Sequence, residues 1–400
     1  MEGKEKAEAI SPSDTEWRKS CDPKEAGWIF TRDLLHKHEN SKSLYLTVDI
    51  RQDKEEQDRA LIAFYQRDNV QWASPLQCRL KGDVAAGTGV DRHMISLVIF
   101  KLIRGFHINT GNGPITQVFE GQPDHLVPSV SLKLLEDNMF VTAGRMMGHS
   151  FLHSGPSFPG LSPAVVHILF GGSLDTTPVS ILDCPDLDVR DAVKMLDGEA
   201  DLHDLDWARR LCLLWNLPTP NANNRKWLAR KLLLHTVIER TWCQINQLRT
   251  GLIESGLWPL LTHRADVIPI LFPRESEAQV TAQMISDCIT WPSSVTYLFD
   301  VYEDREADTG DDMDVKRICG YLRTFVDTAP PAELKSLVKF WIGWEVPTAE
   351  MRVEIVDAAL PTALTCFEKL RLPRHYTSYA VFRQDLRACI SQGCSWFGCA

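Results

Sequence analysis

The 400-residue chain has no long run of lysine and arginine. Its balance runs the other way, with 43 Lys+Arg against 53 Asp+Glu and a formal net charge of -10. Nucleic-acid binders show a basic excess or a basic stripe, so that class is excluded. Long apolar runs are also missing. None reaches the roughly 18–20 residues of a membrane span, and the apolar step Leu232-Leu233-Leu234 is soon broken by charge. The first residues, Met1-Glu2-Gly3-Lys4-Glu5-Lys6, have no apolar core and read as no secretory signal. An even, closely spaced cysteine framework is absent too. Eleven cysteines, an odd number, are scattered over the chain, which excludes a small secreted disulfide scaffold. Reduced thiols in the cytoplasm or nucleus are expected, most of them acting as small buried hydrophobes.

The standard cofactor and metal patterns fail one by one. Gly87-Thr88-Gly89 opens like a dinucleotide loop, but Arg92 stands where the third glycine belongs. No phosphate-binding Walker pattern occurs. Gly148-His149-Ser150 begins like a nucleophile elbow and lacks its closing glycine. His149 and His153 have zincin spacing, but Ser150 replaces the required Glu. Cys389, Cys394 and Cys399 do not form the two close pairs of structural zinc. The paired carboxylates Asp311-Asp312 read as solvated charges. No metal and no cofactor is expected.

What remains is patterned. Leu44 to Val48 reads as a strand and Asp58 to Tyr65 as a helix. Met94 to Phe106 and Met139 to Leu152 show helical spacing. Ser162 caps a further helix with Pro163 at its first position. Residues 225–254 predict one long helix with Trp227, Leu228, Leu232, Leu234, Ile238, Trp242, Ile245, Leu248 and Leu252 on a buried face. Residues 303–313 are acidic and lack hydrophobic periodicity, the signature of a linker. Beyond it, Val315 to Phe325 and the segment starting at Pro331 read as helices, Val353 to Val356 as a strand, and Tyr379 to Ile390 as a last helix. The fold class is therefore α+β: a large, mostly helical lobe, then a small α/β lobe across an acidic hinge. Residues 1–43 read as a polar N-terminal tail.

One cysteine stands in a distinctive setting, Leu360-Pro361-Thr362-Ala363-Leu364-Thr365-Cys366-Phe367-Glu368-Lys369-Leu370-Arg371-Leu372-Pro373. A thiol in a loop after a strand is accessible, as a nucleophile must be. The segment resembles the active-site loop of HECT-type ubiquitin ligases, Leu-Pro-x-Ala-x-Thr-Cys-Phe followed by Leu-x-Leu-Pro. Phe140 with Gly144-Arg145 and Gly148, then Leu161-Ser162-Pro163, resemble that family's Phe-x-x-x-Gly-Arg-x-x-Gly helix and the Ser-Pro helix start after it. Phe397 lies four residues from the end, as in the family's tail. Phe340-Trp341-Ile342-Gly343-Trp344-Glu345-Val346-Pro347 resembles one subfamily.

The resemblance, over residues 44–400, implies a bilobal HECT-like fold. It comprises an N-lobe at 44–302 that binds a ubiquitin-conjugating enzyme through part of 205–290, a flexible hinge at 303–313, and a C-lobe at 314–400. It implies Cys366 as the thioester-forming nucleophile, Thr365 as a shaper of its loop and Phe397 as a tail residue orienting the second transfer. The implied partners are a conjugating enzyme, ubiquitin and a protein substrate, with no nucleic acid and no membrane. His375 reads as an exposed turn residue, with proton acceptor as the alternative. Two departures favour a second reading, a catalytically weakened HECT-like scaffold that binds ubiquitin or conjugating enzyme. Leu364 stands where the family has His. The early Gly-Glu-x-Gly-x-Asp-x-Gly-Gly-x-x-Arg stretch is reduced to Gly82-Asp83 and Gly89-x-x-Arg92, with Ala86 in place of Asp.

Overall fold

The computed structural model describes residues 16–83, 87–109, 113–198, 206–292, 310–348 and 350–393. The chain sorts into two compact units. The first takes residues 1–44, 53–75 and 98–278; the second takes 45–52, 76–97 and 279–400. The second unit is thus larger than the segment after the acidic stretch. It begins at 279 rather than 314 and draws in two pieces from early in the chain. No described helix is long and apolar enough to cross a membrane.

The first unit is helical. The stretch read as a polar tail folds into helices Glu16–Lys19 and Pro23–Lys37. Asp22 accepts from the Lys24 N–H and Pro23 sits at the first helical position, a standard start. Trp17, Ala26 and Ile29 are buried, and the Arg264 guanidinium donates to the carbonyls of Trp17 (2.8 Å) and Ser20 (2.9 Å). Three apolar side chains on a polar background are too sparse to show as periodicity.

Helix Met139–Leu152 matches its expected bounds and is buried almost throughout. It packs on helix Trp242–Glu254 through glycine. A Cβ on Gly144 would lie 2.4 Å from the Leu248 carbonyl oxygen, and one on Gly251 would lie 2.1 Å from that of Val141. Arg145 ties the pair, with Nε on Glu254 at 2.5 Å and Nη1 on the Tyr65 carbonyl at 2.7 Å. The Gly-Arg-x-x-Gly pattern thus has a packing cause: Gly144 admits a neighbouring backbone, Gly148 admits the Ser255 side chain, and the arginine bridges across. Helix Pro163–Leu169 begins as expected, the Ser162 hydroxyl accepting from the Ala164 N–H at 3.1 Å.

The long helix expected over 225–254 is interrupted. It consists of Arg225–Leu234, a π-helical turn His235–Glu239, and Trp242–Glu254. The hydroxyls of Thr236 and Thr241 donate back to the carbonyls of Leu232 (2.9 Å) and Val237 (2.6 Å). Such bonds compete with the helical ladder and bend it. Trp227 and Trp242 face outward, 47% and 44% exposed, against the expectation of a single buried face.

In the second unit, strand Leu44–Asp49 pairs with Leu76–Lys81. A four-stranded sheet has the order Ile289–Thr290, Met351–Val356, Lys369–Pro373, Thr362–Leu364. The first three strands run parallel and the last is antiparallel to its neighbour. Parallel neighbours need long crossovers, and helices Gly310–Thr328 and Pro331–Ile342 supply the one between the first two strands. Their inward residues are those expected: Ile318, Leu322 and Phe325 on one, Leu334, Leu337, Val338 and Trp341 on the other. Helix Tyr379–Gly393 adds Phe382, Leu386 and Ile390 to the same core. Of the acidic hinge expected at 303–313, residues 303–309 lie outside the described residues. Residues 310–313 open helix Gly310–Thr328, so they are helix rather than linker.

Candidate functional site

Cys366 lies at the tip of a β-hairpin. Strand Thr362–Leu364 pairs antiparallel with Lys369–Pro373 in the register Leu364 to Lys369. Four residues, Thr365 to Glu368, must therefore reverse the chain. Thr365–Phe367 form one 3-10 turn and Glu368 closes it at φ +55°, its N–H donating to the Thr365 carbonyl at 3.3 Å. Four-residue hairpin loops are commonly built on a tight turn, and a left-handed residue at the end returns the chain to the strand. The geometry projects Cys366 and Phe367 outward, Phe367 at 68% exposure.

The first turn of helix Thr88–Arg104, within the same unit, lies against this tip. A Cβ at Gly89 would stand 2.6 Å from Thr365 Oγ1 and 3.2 Å from Cys366 Sγ; one at Gly87 would stand 3.6 Å from the sulfur. Gly89 is needed because a side chain there would displace the threonine beside the thiol. Thr365 is half-buried in this notch. Arg92, one turn further along, forms an ion pair with Glu368 at 2.5 Å and lies over the Trp344 ring at 5.3 Å. A cavity of about 410 Å³ opens there, lined by Arg92, Thr348, Glu350, Arg352, Cys366, Phe367 and Glu368.

Of the three residues expected at the site, Cys366 and Thr365 are brought together here, while Phe397 lies outside the described residues, as does Ala86. His375 is exposed and rests on the Tyr376 ring at 4.4 Å. The other expected motifs have structural roles. The His149 ring is fully buried, with Nδ1 2.9 Å from the Tyr65 hydroxyl, and meets His153 edge-on at 4.7 Å. Burial holds His149 well below the usual imidazole range and His153 down to about 4. Among the described residues, no group of three His, Cys, Asp or Glu is placed to hold a metal. The other thiols divide by burial, which pushes Cys184 up to about 11 and Cys319 up to about 12 and also raises Cys78, Cys212, Cys288 and Cys389. A thiol kept protonated at neutral pH is a poor nucleophile.

Sequence reasoning did not single out Glu368, Thr348, Trp341 or Trp344 as site residues. Gly89-x-x-Arg92 was legible only as a remnant of a longer pattern. A signal did exist at Glu368: a side-chain-bearing residue stands where a tight turn prefers glycine or asparagine.

Residues 252–400 match the family model of the HECT-domain (ubiquitin-transferase). The matched HECT segment contains the whole Cys366 hairpin and none of Gly87, Gly89 or Arg92. The chain is also similar to the G2/M phase-specific E3 ubiquitin-protein ligase of Gallus gallus, 26% identical over 195 residues. That alignment covers 47% of this chain and 26% of the relative, so the chain spans about a quarter of the relative's length. The resemblance to HECT-type ubiquitin ligases read from the sequence thus recurs in the family match over residues 252–400 and in this relative.

Proposed function

We propose that this chain is a HECT-type ubiquitin-protein ligase that carries ubiquitin as a thioester on Cys366. The observation that carries the reading is an exposed thiol at a hairpin tip inside the HECT-matching segment. In the first step the Cys366 thiolate attacks the carbonyl carbon of the thioester joining ubiquitin's C-terminus to a conjugating enzyme. The carbon–sulfur bond to that enzyme breaks and its thiolate leaves. Exchange of one thioester for another is nearly isoenergetic with a good leaving group, so the step does not demand the tightly held His base of a cysteine protease. In the second step a substrate lysine amine attacks the same carbon, Cys366 leaves as thiolate, and the nitrogen sheds its proton to solvent.

Thr365 shapes the notch at Gly89, and Phe397 orients the second transfer. A bilobal arrangement with its hinge in the acidic stretch before Gly310 carries the thiol between donor and acceptor. The conjugating enzyme docks within about 205–290, where Trp207, Leu213, Leu214 and Trp227 expose apolar surface. The protein works in the cytoplasm or nucleus.

The test is a non-reducing gel after mixing the chain with activating enzyme, a panel of conjugating enzymes and ubiquitin. A thiol-sensitive adduct that is lost in Cys366→Ala is the expected result. Folded protein that forms no adduct with any conjugating enzyme would refute the proposal and leave the scaffold reading.

A further inference from the structure

Glu368, two residues after the thiol, receives several directed bonds. Its backbone carbonyl accepts from Trp341 Nε1 at 2.9 Å and from the Arg352 N–H at 2.8 Å. Its carboxylate accepts from the Thr348 hydroxyl at 2.7 Å through Oε2 and pairs with Arg92 at 2.5 Å through Oε1. Four separate segments converge on one residue, all within the second unit. The anchors are themselves fixed: Trp341 is fully buried, and the Arg92 guanidinium is held over Trp344. Meanwhile the backbone at φ +55° costs a non-glycine residue about 1 kcal/mol or more. Glycine would remove that cost and keep both backbone bonds. The carboxylate is what glycine could not supply, and its two partners, Arg92 and Thr348, line the same cavity as Cys366.

We propose that Glu368 is a positioning residue for the Cys366 thiol. Its carboxylate fastens the hairpin tip to Arg92 and Thr348, so that the sulfur meets an incoming thioester carbonyl at one fixed angle. This rests on the ligase reading above and adds to it residues outside the family's loop pattern. Near-attack geometry of this kind contributes to rate only where the reactant is large and must be oriented. A small, freely tumbling electrophile gains nothing from it.

The test uses that split in the full chain. Glu368→Gln and Arg92→Ala are compared with wild type in two assays. One is single-turnover transfer from a ubiquitin-loaded conjugating enzyme. The other is iodoacetamide alkylation across pH, read at the Cys366 peptide by mass spectrometry. Transfer is expected to fall at least tenfold in each variant, and the double variant to be no worse than either, as for two residues acting as one unit. Limiting alkylation rates stay within threefold of wild type.

Glu368→Gly serves as the folding control, with an unfolding midpoint equal to or above wild type and the same loss of transfer. Transfer within twofold of wild type in the single variants, losses that multiply, or alkylation that falls in step with transfer would each overturn the proposal. Wild type that forms no thioester refutes the ligase reading instead.

Discussion

Gly251→Ala is expected to destabilise the first unit by about 2 kcal/mol, although alanine is the better helix former. The new Cβ would lie 2.1 Å from the Val141 carbonyl oxygen and 2.8 Å from both the Arg145 nitrogen and the Gly144 Cα. All three obstacles are backbone of the facing helix Met139–Leu152, so no side chain can swing aside. An ordinary carbon–oxygen approach is about 3.3 Å, so the helices must part by about 1 Å. A gap of that size forfeits a quarter to a half of each affected dispersion contact, here among Phe140, Ala143 and Met147 on one side and Ile245, Leu248 and Leu252 on the other, all buried. Overpacking of this kind costs about 1–3 kcal/mol; rigid obstacles place it at the upper end. Helix propensity returns about 1 kcal/mol.

The matched control is Gly320→Ala in helix Gly310–Thr328, where the added Cβ meets nothing within 4 Å. There only the propensity term operates, and a gain of about 0.5–1 kcal/mol is expected. Urea unfolding followed by far-UV circular dichroism and tryptophan fluorescence measures both. With a slope of about 3 kcal/mol per molar, the Gly251→Ala midpoint drops by about 0.7 M. A Gly251→Ala protein as stable as Gly320→Ala would refute the backbone-contact argument.

Asp58 is 1% exposed and accepts from Lys101 Nζ at 2.8 Å and the His107 N–H at 2.6 Å. Asp58→Ala strands a buried ammonium and is expected to cost about 3–5 kcal/mol. Adding Lys101→Met should recover a large part of it in a double-mutant cycle; strict additivity would show that the two charges do not interact. Stability should also fall on mild acidification. Burial holds His93 and His153 down to about 4 and His149 well below the usual imidazole range, whereas the unfolded chain protonates near 6.5. Between those values the unfolded state binds more protons, so stability decreases as pH falls from about 6.5 towards 4. The slope is up to about 1.4 kcal/mol per pH unit for each fully buried histidine. Equal urea midpoints at pH 7.5 and pH 5 would contradict this.

Local periodicity was read well wherever one helix faces one core. Met139–Leu152 and the stretch from Pro331 carried their burial pattern openly, because a 3.6-residue repeat requires no knowledge of the partner. It failed at 225–254, where threonine hydroxyls bonding backward broke a run that looked continuous in hydrophobicity. It failed again at 16–37, where a few apolar residues suffice because the surface they cover belongs to a distant segment. The thiol itself was legible, since Leu360 to Pro373 is contiguous and its residue types are specific. Arg92 could not be assigned a task, because its partner Glu368 is brought to it only by folding.

The sequence by itself thus pointed to a class of chemistry: a chain without metal or phosphate motifs, carrying one cysteine in a recognisable loop. Charge, hydrophobic period and loop composition are local properties and survive being read in one dimension. Tertiary structure alone decided that residues 76–97 pack with 279–400, that Gly89 must be bare to admit Thr365, and that four bonds hold Glu368 in a left-handed turn. Those are contacts between residues far apart along the chain. Their energies depend on distances of a few ångströms, which no pattern of residue types specifies.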